Sequence, residues 1–236
     1  MKAGIIAAGT GERLLAAGIQ TPKPLVDVAG KALVDHVLDA VHGAGIASAA
    51  CIFNAEPPAD AVATHCRART SGPQLTIVRK TTPSSMESLF TLAPHLRDDR
   101  FLLLTVDAVF PPAVLRDFLA AAQRHPAADV VLAVTDHIDD EKPLYTALDG
   151  SGRVTALGDA ARGSVWITAG FYLFQPRIFV EIDAARAAQF TALRQFLAHL
   201  LARGYAVHAA PIGKTVDVDR PQDIAVADAF ARQFTA

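Results

Sequence analysis

Three stretches of this chain carry residue types that could handle phosphate. The first is a glycine loop, Ala8-Gly9-Thr10-Gly11-Glu12-Arg13, which follows an apolar run and offers consecutive backbone N–H groups to an anion. Ten residues beyond Arg13, Lys23 sits between Pro22 and Pro24. The guanidinium fork of Arg13 and the point charge of Lys23 could embrace a polyphosphate from two sides; the alternative is a turn with solvated side chains. Neither common nucleotide motif is complete. A dinucleotide fingerprint needs a third glycine where Leu14 stands. A P-loop needs Gly-Lys-Ser/Thr opening a helix, but the prolines around Lys23 disfavour that start, and Gly213-Lys214-Thr215 has His208 in place of its leading glycine.

The second and third stretches are acidic. Leu102 to Val106 reads as a buried strand ending in Asp107, which places that carboxylate at the carboxyl edge of the sheet, beside the glycine loop. Near the end of the chain Asp217 and Asp219 alternate with valines, so an extended backbone presents both on one side. Three carboxylates would repel a polyphosphate unless a hard cation lay between, and Mg²⁺ suits one or two carboxylates together with phosphates and waters. Two other roles remain open at this stage: Asp219 as the cap of a helix starting near Pro221, and Asp107 as a cap or turn residue before the Pro111 helix.

The elements that must position these groups alternate. Residues 3–8, 49–53, 75–78, 101–106 and 129–134 read as buried strands, and 31–44, 59–69, 85–96 and 112–124 as helices. That rhythm predicts an α/β fold: a Rossmann-like, mostly parallel central sheet flanked by helices. After His137 the pattern changes to a hairpin, 144–148 and 154–157 around Asp149-Gly150-Ser151-Gly152, then a strand at 165–174, a helix at 192–203 and a strand at 206–209. These are read as a smaller mixed β lobe. One domain, 1–236, is expected, with a nucleotide-binding part at about 1–136 and 205–236 and an acceptor-binding part at about 137–204.

Composition narrows the class. With a net charge of -2 and no run of like charges, the chain lacks an extended nucleic-acid surface. Its apolar runs are strand-sized, too short to span a membrane, and the amino terminus enters one directly, so a cytoplasmic location is expected. The two cysteines, Cys51 and Cys66, have no CxxC spacing and read as packing residues.

Taken together, the residues 3–13 with Pro22-Lys23-Pro24-Leu25 resemble the signature of the sugar-phosphate nucleotidyltransferases, a family with a GT-A-like Rossmann core. Its smaller members include enzymes similar to phosphocholine cytidylyltransferase and N-acetylmuramate-1-phosphate uridylyltransferase. Their carboxyl-terminal Asp-x-Asp-Thr-Pro-Glu-Asp is similar to Asp217-Val218-Asp219-Arg220-Pro221-Gln222-Asp223, and their Asn-Ala-Gly-Ile-Tyr strand to Thr168-Ala169-Gly170-Phe171-Tyr172. Two departures stand out: Thr168 replaces that Asn, and the base loop 81–84 lacks the Gly-Thr-Ala of the larger sugar enzymes.

The resemblance implies a nucleoside triphosphate, CTP or UTP favoured, and a small phosphorylated acceptor whose phosphate attacks the α-phosphorus as pyrophosphate leaves. It implies Mg²⁺ on Asp107 and Asp217, with Asp219 joining them, Arg13 on the pyrophosphate, and Lys23 on the α-phosphate and acceptor side. The base would lie against Ala8 and Gly9, with Thr82 and Ser85 reading its edge, while Thr10, Gly11 and Glu12 complete the nucleotide loop. For the acceptor, the polar loop 137–145 and Trp166, Gly170 and Tyr172 are the candidate walls, and Lys214 is either a phosphate contact or a surface lysine. One Trp and three Tyr under-supply a choline cage, which favours a sugar or polyol phosphate. A monomer or homodimer is expected. The competing readings are a GT-A glycosyltransferase using Asp217-Val218-Asp219, and a non-catalytic nucleotide or nucleotide-sugar sensing domain on the same fold.

Overall fold

The computed structural model describes residues 1–137 and 142–234. The first half runs β1 (Lys2–Ala7), α1 (Glu12–Ala16), β2 (Asp27–Val28), β3 (Lys31–Ala32), α2 (Leu33–Gly43), β4 (Ser48–Phe53) and α3 (Asp60–Ala68). It continues through β5 (Gln74–Arg79), α4 (Ser85–Leu96), β6 (Phe101–Thr105), β7 (Ala108–Val109), α5 (Pro112–Ala122) and β8 (Val130–Thr135). The second half adds β9 (Thr146–Leu148), β10 (Val154–Leu157), β11 (Ile167–Phe174), α6 (Ile182–Ala187) and α7 (Leu193–Ala202). It closes with β12 (Val207–Pro211), β13 (Val216–Asp217) and α8 (Pro221–Ala231).

Seven strands form the central sheet in the order β12-β8-β11-β6-β1-β4-β5. β1 is parallel to both β4 and β6, whereas β11 runs antiparallel between β6 and β8. The strand at 165–174, expected in the smaller lobe, is therefore a member of this sheet, as is the strand at 206–209. The apolar run of β11 is largely buried, as a central strand requires, β12 forms the sheet's edge, and the β9–β10 hairpin lies outside the sheet. From β1 the chain winds outward through β4 to β5, then returns to the other side of β1 at β6. The crevice between the carboxyl ends of β1 and β6 is thus the switch point where such sheets take ligands.

Period-2 alternation divides the apolar residues between two cores. Ile5, Leu102, Leu104 and Phe171 pack beneath α2, α3 and α5; Ile6, Leu103, Tyr172 and Phe174 pack beneath α4 and α7. A third cluster joins Leu14, Val28, Val109, Val216, Val218 and Ala227. It anchors the acidic segment: Val216 and Val218 are buried, so Asp217 and Asp219 face the other way, as the alternation predicts. Cys51 and Cys66 are buried free thiols, and burial pushes Cys66 up to about 11, so neither is poised to react. Among the described residues no helix is long and apolar enough to cross a membrane.

Two histidines make this packing acid-sensitive. His36 is buried on α2 with Nε2 2.8 Å from the Val28 carbonyl oxygen, and His208 stacks on His125 with ring centroids 4.2 Å apart. Burial lowers both pKa values; at His208 the neighbouring His125 and Arg153 lower it further, against the opposing charge of Asp149. Because the folded state resists these protons and the unfolded chain takes them up near pH 6.5, their stabilising contribution is present above that pH and falls as pH drops through it. Thermal melts between pH 8 and pH 5.5 should show a falling midpoint, with a shallower slope in His208→Asn.

Candidate active site

At the switch point the glycine loop leaves β1 and turns at Gly11, which has φ +67° and would place a Cβ 3.2 Å from the Lys23 Cβ. Any side chain there would meet left-handed strain and crowd Lys23. On the opposite side, Asp107 follows β6. Its segment is pinned by the β7–β13 pair and by the Val218 N–H, which donates to the Asp107 carbonyl oxygen at 3.0 Å. This pairing carries the end of the chain, with Asp217 and Asp219, to the crevice.

Four charged side chains converge there. Lys23 Nζ donates to Asp107 Oδ2 at 2.8 Å and to Asp219 Oδ1 at 2.5 Å, and Arg13 reaches Asp219 Oδ2 at 3.2 Å. The Lys23 side chain is only 10% exposed. Burial alone would lower its pKa, but Asp107 and Asp219 more than offset this and hold it above the ordinary lysine value. Burial would likewise raise Asp107, and the Lys23 ammonium outweighs it, keeping the carboxyl below the usual range.

This cluster separates two clefts. The inner one, about 440 Å³, lies between the glycine loop and the 81–85 loop, with Lys23 and Asp107 at its end. The outer one, about 370 Å³, is bounded by Arg13, Asp217, Asp219, Arg220, Thr168 and Thr135, among others. Ala8, Gly9, Thr10, Glu12, Thr82 and Ser85, all candidates from the sequence, line the inner cleft together. Lys23 serves the inner cleft and Arg13 the outer, so the two cations flank the junction rather than one chain of phosphates.

Asp219 is not the cap of α8. The Asp223 carboxylate takes that part, accepting from the Asp219 and Arg220 N–H groups at 3.0 and 2.7 Å, which frees the Asp219 side chain for the two cations. Asp107 does not cap α5 either, which begins after Pro111 without a side-chain cap. Two carboxylates, Asp107 and Asp219, gather on one cationic centre; Asp217 is exposed on the wall of the outer cleft. Among the described residues no group of three or more His, Cys, Asp or Glu converges as a metal site.

The acceptor candidates are placed differently from the sequence expectation. Tyr172 is 6% exposed and belongs to the core beneath α4; burial pushes its phenol up to about 12. Trp166 is half-buried against the same core. Gly170, at φ +81°, lets β11 bulge past Thr105, where a Cβ would come within 3.0 Å of the hydroxyl oxygen. None of the three lines either cleft, and Lys214 lies 5.9 Å from the Phe230 ring centroid. The outer cleft is instead walled by Thr135, Thr168, Thr215, His137, Arg220 and Gln222. Of the polar loop 137–145, residues 138–141 lie outside the described residues. Also missed in the sequence was Asn54, a buried amide on the inner cleft; a lone polar residue closing the apolar run 49–53 was its only signal.

A seven-stranded sheet with its site at this crevice is the GT-A-like nucleotidyltransferase fold. The solved inositol-1-phosphate CTP transferase from T. maritima superposes with a TM-score of 0.82 at 18% identity, covering 100% of this chain and 97% of that one. Residues 3–204 match the MobA-like NTP transferase domain, and the chain belongs to that family. Among its relatives, the CMP-5'-(3-aminopropyl)phosphonate synthase of Streptomyces rubellomurinus is 30% identical over 159 residues, which is 60% of this chain and 25% of that protein. The N-acetylmuramate alpha-1-phosphate uridylyltransferase of Caulobacter vibrioides is 45% identical over 65 residues, 28% of this chain and 26% of that protein. The aligned stretches thus span about a quarter of either relative.

Proposed function

We propose that the protein is a nucleotidyltransferase that joins a nucleoside triphosphate to a small phosphorylated acceptor, with release of pyrophosphate. One observation carries this reading: two clefts, one walled by a glycine loop, meet at a cluster of a largely buried lysine, an exposed arginine and two carboxylates. A triphosphate in the inner cleft and an acceptor phosphate in the outer would bring two anions together at that junction. The acceptor phosphate is already anionic, so the chain needs no general base; its task is to offset repulsion and align the attack on the α-phosphorus. Lys23, held charged at the junction, would stabilise the charge that builds there, and Arg13, on the outer wall, would offset the charge of the acceptor phosphate rather than that of the leaving pyrophosphate.

Asp107 and Asp219 offer hard oxygen donors clustered around one cationic centre, which fits a divalent cation such as Mg²⁺, with Asp217 nearby on the outer wall. When bound, such an ion supplies charge neutralisation between the two phosphates. The hydroxyl-rich outer cleft, with no Phe, Tyr or Trp among the described residues of its walls, supports a sugar phosphate or polyol phosphate as acceptor rather than a quaternary amine. CTP and UTP are the triphosphates we favour, in keeping with the cytidylyl and uridylyl transfers in the relatives' names.

The reading is tested by pyrophosphate release with Mg²⁺ across five triphosphates and a panel of sugar-1-phosphates, inositol phosphate, phosphocholine and phosphonates. Release that requires a triphosphate, an acceptor and the metal together supports it. Triphosphate binding without turnover on any acceptor would favour a sensing domain.

A further inference from the structure

The inner cleft contains a polar side chain to which the proposed chemistry gives no part. Asn54 follows β4, is 7% exposed, and uses both ends of its amide. Nδ2 donates to the Ala8 carbonyl oxygen at 3.1 Å, at the start of the glycine loop. Oδ1 accepts from the Glu56 N–H at 2.8 Å and from the Thr81 hydroxyl at 2.9 Å. β4 lies between β1 and β5 in the sheet, so this one side chain ties together the loops that follow both neighbours.

The 81–84 loop is held from its other end as well. Thr82 Oγ1 and Ser88 Oγ lie 2.6 Å apart, and Ser88 Oγ donates to the Ser84 carbonyl oxygen at 3.1 Å. Ser85 Oγ accepts from the Leu193 N–H at 3.3 Å. The hydroxyls expected to read a base are thus engaged in fixing the loop.

We propose that Asn54 is the positioning residue of the inner cleft, clamping the 81–84 loop to the glycine loop so that selection among nucleotide bases depends on this clamp. The inference rests on the reading of the inner cleft as a nucleoside triphosphate site. The position demands a group that donates and accepts at once across a fixed span: a carboxylate cannot donate to the Ala8 carbonyl, and a serine hydroxyl is too short to reach both loops.

The test is calorimetric binding of CTP, UTP, GTP, ATP, dTTP and inorganic tripolyphosphate, the last a probe without a base. It compares the wild-type chain with Asn54→Ser and Thr81→Val; Thr81 is exposed, so its variant cuts the clamp without disturbing the core. Both variants should weaken the preferred triphosphate by about tenfold and narrow its margin over the others, while tripolyphosphate stays within about threefold. Unchanged base preference in both variants would overturn the clamp, as would an equal loss for triphosphate and tripolyphosphate, which marks a general structural effect. If the wild-type chain binds no triphosphate, the nucleotide reading fails first and the clamp with it.

Discussion

Replacement of Lys23 by Met is expected to slow pyrophosphate release by about 10²–10³-fold, the loss seen when one preorganised electrostatic contact is removed from a transition state. It should also destabilise the fold, because Lys23 is the common partner of two carboxylates. Removing one member of a buried ion pair costs about 3–5 kcal/mol. Here Asp107 is 28% exposed and Asp219 46%, so water screens what is left and about 1–3 kcal/mol is the expected loss. The two effects can be told apart by pH. In the wild-type chain Lys23 holds the Asp107 carboxyl below its ordinary range, so the stability this pair contributes is present above about pH 4 and lost as pH falls through and below it. The gap in urea midpoint between wild type and Lys23→Met should therefore shrink on acidification. A variant of full activity would remove Lys23 from the chemistry, and a gap that does not change with pH would remove Asp107 as its partner.

Asp107→Asn should give the opposite balance. Asparagine fills the same space and Lys23 keeps its contact with Asp219, so unfolding should stay cooperative, with a midpoint lowered by less than in Lys23→Met. Turnover should nonetheless fall by at least about 10²–10³-fold, because a neutral amide is a far weaker donor to a hard cation and offers no charge to set against it. Rates measured over a range of Mg²⁺ concentrations alongside urea unfolding check both halves. An unimpaired Asp107→Asn would rule out a metal role for this carboxylate.

The parts of the site that could be read in the sequence are those where residue type and strand pattern point the same way. Phe101 to Leu104 of β6 are fully buried, so the strand's end had to lie at the carboxyl edge of the sheet and Asp107 with it. The Val216 and Val218 alternation set the facing of Asp217 and Asp219 in the same manner. What periodicity cannot supply is the identity of a strand's neighbours. β11 reads as a strand from its apolar run, but its place between β6 and β8, antiparallel to both, arises from long-range pairing, and that pairing carries Tyr172 into the core. The role of Asp219 was ambiguous for a related reason: a carboxylate before Pro221 suits a cap, and only the three-dimensional arrangement shows Asp223 doing the capping. Asn54 was not legible because a single amide after a strand has no pattern; its meaning lies in partners 46 and 27 residues away.

Transfer of a nucleotidyl group is tested most directly by following the phosphorus atoms. With Mg²⁺, the responsive triphosphate and its acceptor, label at the α-phosphorus should pass into a diester product that contains the acceptor, while label at the γ-phosphorus appears only in pyrophosphate. Label from the γ position in the acceptor product, or α-labelled nucleoside diphosphate released beside an unmodified acceptor, would contradict nucleotidyl transfer at this site.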